Sequence, residues 1–285
     1  MSRNTKGDRF TPFNYPIEVE QRIQELRKNK NIQLPPRKIL RTREELAGIK
    51  ASAEINTALL DFITPFVKAG VSTRELDSLV YQFTTDNGAI PAPLGYGDFP
   101  KSCCISINDV VCHGIPNEFD ILEDGDIVNI DVSTIFKGYF SDASRMFMIG
   151  NVTEQARRLV EVCKECLDLG IQAAQPWATL GDVGAAIQAH AEKNGFSVVR
   201  DFCGHGVGIK FHEDPEVLHY GHKGTGMTLV PGMTFTIEPM LNAGSWEVFI
   251  DSEDNWTACT DDESLSAQWE HMILITETGN EILTY

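Results

Sequence analysis

The sequence predicts an α+β protein built of two similar halves. Each half is a pair of helices followed by strand-like sequence, with the two sheets joined and the helices on one side. Three observations lead there. Ser72-Thr73-Arg74-Glu75 reads as a capping box that opens a helix ending near Asn87-Gly88. Thr179-Leu180-Gly181-Asp182 opens a similar helix ending near Asn194-Gly195, and the two starts are separated by the same offset as the two ends. Between the halves, GDIVNIDVSTIFKGYFSDASRMFMIG alternates Ile127, Asn129, Asp131 and Ser133 with Val128, Ile130 and Val132. It then turns at Lys137-Gly138 and returns over Tyr139 to Met148.

Taken in chain order, residues 1 to 38 differ from the rest, being polar and short of core-sized apolar patterning. They hold one modest helical stretch, Ile17 to Lys30, and then Pro35-Pro36, which favours an extended linker. The folded body, 39–285, begins near Ile39 with a long helix that precedes the Ser72 helix. In the second half, EQARRLVEVCKECLDLGIQAA is amphipathic and precedes the Thr179 helix. Its Cys163 and Cys166 form a CxxC without a second pair to complete a zinc site, so they read as helix residues. Met233 to Ile237 alternates as a strand that Pro239 stops, and Ala267 to Ile275 is an apolar strand with a charge at its head.

Composition narrows the function classes. The chain of 285 residues is 42% hydrophobic and 23% charged, ordinary for a globular protein with a substantial core. Its 24 Lys+Arg against 41 Asp+Glu give a net charge of −17, which opposes general attraction to phosphate backbones or anionic lipid. Nucleic acid and membrane are therefore not expected as partners. The start, MSRNTKGDRF, has no apolar run to act as a signal, and no uncharged stretch approaches the roughly 20 residues of a membrane span. A cytoplasmic protein is expected. Seven cysteines without framework spacing fit a reducing compartment, with Cys103, Cys104 and Cys112 as small buried hydrophobes.

Asp131 and Asp142 carry the first chemical signal. In a hairpin centred between Phe136 and Lys137 they face each other, where Cβ atoms lie about 4.5–5.5 Å apart and like charges are destabilising. Such a pair is tolerable if the two share a proton or grip a metal ion. A solvated hairpin end with two unrelated aspartates is the competing reading. His205 lies among glycines in Cys203-Gly204-His205-Gly206-Val207-Gly208, where the backbone approaches closely. Glu238 ends the strand before Pro239, and Glu270 heads the last apolar strand. Together Asp131, Asp142, His205, Glu238 and Glu270 form an oxygen-rich set with one imidazole. It suits Mn, Fe(II), Co or Zn, and four carboxylates can bridge two cations that activate a water for hydrolysis.

The strings Cys112-His113-Gly114-Ile115-Pro116, Asn129-Ile130-Asp131-Val132, Ser141-Asp142-Ala143-Ser144, Gly204-His205-Gly206-Val207-Gly208, Phe211-His212-Glu213-Asp214-Pro215, Phe235-Thr236-Ile237-Glu238-Pro239-Met240 and Ser264-Leu265-Ser266-Ala267-Gln268-Trp269-Glu270-His271 strongly resemble type I methionine aminopeptidase, from about Ile39 to the C-terminus. The resemblance implies the pita-bread fold, whose curved antiparallel sheet is covered by helices in two pseudo-symmetric halves. It also implies metal-dependent removal of the initiator methionine from nascent polypeptides, with a preference for a small second residue.

By the same resemblance, Asp131, Asp142 and Glu270 bind one divalent ion, and Asp142, His205, Glu238 and Glu270 the other. His113 and His212 contact substrate outside the metal shell, His212 at the scissile oxygen and His113 at the peptide nitrogen, and Glu238 takes a proton from water. Tyr96, Phe99, Cys104, Phe211 and Trp256 match the lining of the methionine pocket. Asn108, Val110 and Ser266 match positions that hold a monovalent cation. A monomer is expected, with the ribosome as a candidate partner of the extension. Two departures from the family stand out: the acidic run Asp251 to Asp254 replaces a more basic hairpin tip, and Pro93 stands where relatives often have cysteine. Xaa-Pro peptidases share the fold but carry a large N-terminal domain, and non-catalytic binding relatives have lost ligands that are all present here.

Overall fold

The elements that the capping boxes announce are the ones that form. The computed structural model describes residues 17–285. After α1 (Ile17–Leu26) and a short 3-10 turn (Arg37–Ile39), the first half contains α2 (Arg43–Ile63), α3 (Thr73–Asp86), β1 (Ile90–Pro91), β2 (Cys104–Ile107), β3 (Val110–Cys112), β4 (Ile127–Phe136) and β5 (Tyr139–Met148). The second half contains α4 (Glu154–Ala173), α5 (Leu180–Lys193), β6 (Ser197–Val198), β7 (Gly204–Gly206), β8 (Glu213–Val217), β9 (Thr234–Ile237) and β10 (Met240–Asn242). It continues with β11 (Val248–Ile250), β12 (Ala258–Thr260), β13 (Ser266–Gln268), β14 (Glu270–Ile275) and β15 (Asn280–Ile282). Ser72 with Glu75 and Thr179 with Asp182 each make both halves of a capping box, and Thr42 with Glu45 makes a third at the head of α2. Loss of such a cap costs about 1 kcal/mol.

One nine-stranded sheet runs β1-β4-β5-β14-β9-β7-β8, with β2 also on β4 and β15 also on β14. Two three-stranded sheets, β13-β10-β6 and β11-β12-β3, complete the described strands. Alternation along the central strands divides their side chains between two faces. Val128, Ile130, Val132 and Ala143 pack with Leu59, Leu60 and Ile63 of α2 and Leu76 and Val80 of α3. Phe235, Ile237 and Ile273 pack with Val160, Cys163 and Leu167 of α4 and Val183 and Ile187 of α5. Each buried aliphatic side chain contributes about 1.5–3 kcal/mol, so this face holds the fold. The polar positions Asn129, Asp131, Ser133, Asp142 and Ser144 are left to the other face. Buried polar ties reinforce the α2 contact: Ser52 Oγ donates to Thr134 O at 3.0 Å, and Asn56 Nδ2 to Val132 O at 2.6 Å.

The register of the β4–β5 hairpin corrects one expectation. Phe136 pairs with Tyr139, leaving a two-residue turn in which Lys137 and Gly138 have φ of 51° and 85°. Both residues are left-handed, as in the turn whose twist matches that of paired strands. The hairpin is therefore centred between Lys137 and Gly138, not between Phe136 and Lys137. Asp131 pairs with Ser144 and Asp142 with Ser133, so the two aspartates are diagonal neighbours on one face, not opposite each other.

Residues 1 to 16 of the extension lie outside the described residues. The helix expected over Ile17 to Lys30 ends at Leu26, where Lys28-Asn29-Lys30-Asn31 offers no apolar side chain to dock and Asn29 Oδ1 accepts from Asn31 N. Val19 and Ile23 are buried in the core cluster that also holds Ile39, Leu40 and Val230. Cys163 and Cys166 are buried in α4, with their thiols directed at backbone carbonyls. Among the described residues no helix is long and apolar enough to cross a membrane.

Candidate active site

Five adjacent strands deliver the expected ligand set to one place. Asp131 on β4 pairs with Ser144 on β5, and Ser144 pairs in turn with Glu270 at the head of β14, so a row crosses three strands with a small serine at its middle. His271 pairs with Ile237 at the end of β9, which puts Glu238, the next residue, level with Glu270. Gly206 of β7 pairs with Phe235 of β9, and His205 N–H donates to Thr236 Oγ1 at 2.9 Å. Asp142, His205 and Glu270 thereby offer ligand atoms that all lie within 4.8 Å of one another.

The tautomer of His205 decides what this cluster can hold. Its Nδ1 lies 3.0 Å from Gly206 O, a contact that requires Nδ1–H, so Nε2 carries the lone pair. Burial among the other histidines lowers the ring's pKa to about 3, so the ring is neutral. Yet Nε2 faces Asp142 Oδ2 at 3.6 Å and Glu238 Oε1 at 3.7 Å. The lone pair and the two carboxyls converge on one point, where the carboxyls hold protons in the absence of metal and a cation would take the place of those protons.

The carboxyls agree. Burial raises Asp131 to about 7 and Glu238 to about 8, and pushes Asp142 and Glu270 well above the usual range, with neighbouring carboxylates adding to the last two. Asp131 Oδ1 is buried without a hydrogen-bond partner among the described residues. Three of the other carboxyl oxygens are oriented by the protein: Ser133 Oγ donates to Asp142 Oδ1 at 2.7 Å, Thr236 Oγ1 to Glu238 Oε1 at 2.7 Å and Gln268 Nε2 to Glu238 Oε2 at 3.2 Å. Four buried carboxyls, one imidazole with its lone pair inward and one orphaned oxygen fit a divalent metal centre.

The cluster forms the floor of a cleft of about 550 Å³. The expected pocket residues Tyr96, Phe99, Cys104, Phe211 and Trp256 all line it, as do His113, His212 and Pro93. The Phe99 and Trp256 rings meet edge-on at 5.2 Å, and Tyr96 meets Phe211 edge-on at 4.9 Å. His212 lies 4.1 Å from the His205 ring, centroid to centroid, and 5.1 Å from Tyr96. His113 has φ of +59° and sits edge-on to Phe202 and Trp256, with burial lowering its pKa to about 4. A non-glycine residue held in that backbone region at a cleft is a strain worth keeping only where its side chain is needed.

Asn108 and Ser266 touch through Ser266 N–H donating to Asn108 O at 2.8 Å, and Val110 follows at the start of β3. These residues do not line the cleft. Asp251 and Asp254 also lie away from it, lining a separate surface depression with Asn108 and Asp126. Asp254 instead builds a turn, accepting from Trp256 N at 2.7 Å and Thr257 N at 2.9 Å, and so fixes the strand entry that carries the Trp256 ring.

Sequence reasoning missed His219, Gln268, Phe202 and Met240. His219 is fully buried, and its Nε2 accepts from Glu238 N–H at 3.1 Å, anchoring the turn that presents that carboxyl. No local pattern marks this long-range contact. Gln268 and Met240 each lie two residues from a proposed ligand, but a strand break intervenes in both cases, between β13 and β14 and between β9 and β10, so strand alternation alone does not mark them.

The chain matches the model of metallopeptidase family M24 over residues 47–277. It is 51% identical over 245 residues to methionine aminopeptidase A of Synechocystis sp., covering 86% of this chain and 96% of that protein. It is 48% identical over 246 residues to methionine aminopeptidase of Escherichia coli, covering 86% and 93%. The crystal structure of methionine aminopeptidase from Rickettsia prowazekii superposes with a TM-score of 0.85 at 49% identity, covering 86% of this chain and 99% of that one.

Proposed function

Because the chain belongs to metallopeptidase family M24 and, within it, to the methionine aminopeptidases, we propose that it removes the initiator methionine from nascent proteins and peptides whose second residue is small. It is a hydrolase that binds divalent metal. In this reading Asp131, Asp142 and Glu270 hold one ion and Asp142, His205, Glu238 and Glu270 the other, with Co, Mn, Fe(II) and Zn as the candidate metals. Ions held there supply Lewis acidity for peptide hydrolysis. The observation that carries the reading is the convergence of the unprotonated His205 Nε2 on Asp142 and Glu238 at 3.6 and 3.7 Å.

The chain's own residues supply the rest. Tyr96, Phe99, Cys104, Phe211 and Trp256 enclose the methionine side chain, and their rings and thiol give the thioether favourable contacts. The neutral His212 donates to the carbonyl oxygen as negative charge develops there, and the neutral His113 donates at the peptide nitrogen. Glu238, ionised once it holds metal, would take the proton lost by water. A monovalent cation at Asn108, Val110 and Ser266, a monomeric state, a cytoplasmic setting and a ribosome contact through residues 1 to 38 belong to the same reading, since nascent chains emerge at the ribosome.

Peptides headed by Met-Gly, Met-Leu and Gly-Pro, with Co or Mn added, test this. Met-Gly should be cleaved fastest, Met-Leu slowly and Gly-Pro not at all. Cleavage of Gly-Pro would assign an Xaa-Pro peptidase, and cleavage of none would assign a binding relative.

A further inference from the structure

Glu213 lines the same cleft as His212, its neighbour in sequence, but its carboxylate is occupied by the protein. Oε1 accepts from Arg41 Nη2 at 2.5 Å and from the backbone N–H groups of Ile209 at 3.1 Å and Lys210 at 3.4 Å. Oε2 accepts from Arg41 Nη1 at 3.4 Å. One side chain thus closes the loop 209–213 on itself, with Phe211 and His212 held at its tip. Gly208 begins that loop at φ +138°, where a Cβ would lie 2.6 Å from Ile49 Cδ1, so the loop is constrained at both ends.

Arg41 fixes this loop to the sheet that carries the ligands. It is 1% exposed. Its Nε donates to Thr234 Oγ1 at 2.9 Å, its Nη2 also to Val207 O at 3.4 Å and its backbone N–H to Gly232 O at 2.9 Å. Thr234 Oγ1 in turn donates to Val207 O at 2.6 Å. A buried ion pair is weak as a source of stability, since apolar replacement of both partners is often neutral or better. A planar guanidinium that divides its donors among three segments gives geometric definition that an ammonium cannot.

We propose that Arg41, acting through Glu213, is a positioning residue for His212, setting where the imidazole meets the scissile carbonyl. This rests on the reading of His212 as the donor to that oxygen, and the experiment separates the two. Arg41→Met, Arg41→Lys and His212→Ala are prepared in the full chain, loaded with Mn and assayed on a Met-Gly-headed peptide.

Arg41→Met should lower kcat about 10- to 100-fold, the cost of displacing a reacting group by roughly an ångström, with KM and Mn content near those of the parent. Arg41→Lys should recover part of the loss. On a His212→Ala background Arg41→Met should cost nothing further, because the group it positions is gone. Independently of activity, the imidazole ¹H–¹⁵N signals of His212, identified by their loss in His212→Ala, should shift in metal-free Arg41→Met.

Where Arg41→Met strands the Glu213 carboxylate and the protein fails to fold, Arg41→Met/Glu213→Gln carries the same comparisons without a lone buried charge. Full additivity with His212→Ala, or unmoved imidazole signals, overturns the proposal while leaving the reading of His212 intact. Normal kcat in His212→Ala removes that reading and the proposal with it.

Discussion

Asp131 and Asp142 stand diagonally across the β4–β5 hairpin, each opposite a serine. The spacing leaves Ser133 free to hydrogen-bond Asp142 and leaves Asp131 Oδ1 with no hydrogen-bond partner among the described residues, so on the proposed reading the two carboxyls divide between an anchored and an open ligand.

The open ligand gives the first prediction. Asp131→Asn keeps the shape and removes a charge, so metal affinity and turnover should both fall by at least the 10- to 100-fold typical of weaker, outer contacts, while the fold survives. Metal titration and circular dichroism check it; unchanged stoichiometry with near-normal turnover would remove Asp131 from the site.

His113 and His212, proposed to contact substrate, should behave differently from the proposed ligands. His113→Ala and His212→Ala should retain metal while kcat falls by about 10²–10³, the scale of losing one donor to a developing oxyanion, with KM less affected. Metal loss from His212→Ala would instead make it a ligand, a live alternative given its 4.1 Å ring separation from His205.

Stability of the metal-free protein should fall as pH rises from about 6.5 to 8. Asp131 and Glu238, raised to about 7 and 8, keep their protons in the folded state, whereas the unfolded carboxyls have lost theirs above about 4. The folded state therefore binds more protons, and stability drops as pH climbs through the folded values. Below about 6.5 the depressed His113 and His205, at about 4 and 3, act oppositely, since the unfolded rings take up protons that the folded ones refuse. Saturating Mn should flatten the alkaline limb, because metal replaces those protons. Thermal melts across this range decide it, and a flat metal-free profile would contradict the buried-carboxyl account.

A chain starting at Ile39 should stay folded and cleave short peptides, because among the described residues no proposed ligand or cleft residue precedes that point. It should melt lower, since Val19 and Ile23 no longer cover Ile39, Leu40 and Val230. Each 1 kcal/mol lost shifts Tm by roughly 2–4 °C in a chain of this size. Failure to fold would make the extension an integral part of the body.

The helices were legible in the sequence because their signals are local. Ser72 with Glu75 and Thr179 with Asp182 specify their own boundaries within four residues, and the internal repeat follows from them. The five residues proposed as ligands, His113, His212 and the five expected pocket side chains line one cleft, because ligand chemistry and motif order were both readable. The hairpin register was not, since it turns on whether Lys137 accepts a left-handed backbone, which its side chain does not advertise. Nor were His219 behind Glu238 or Arg41 behind Glu213, because both contacts join residues whose proximity exists only after the sheet has assembled.

His113 follows β3 in a three-stranded sheet, whereas His212 leads into β8 at the border of the nine-stranded one. The cleft is therefore a seam between two sheets, tied beside His113 where Ile105 N–H donates to Gly114 O at 3.0 Å. On the proposed reading a peptide gripped by both imidazoles rivets that seam, so occupancy should slow amide exchange in β12 and in the 209–213 loop together, although neither segment need touch the other.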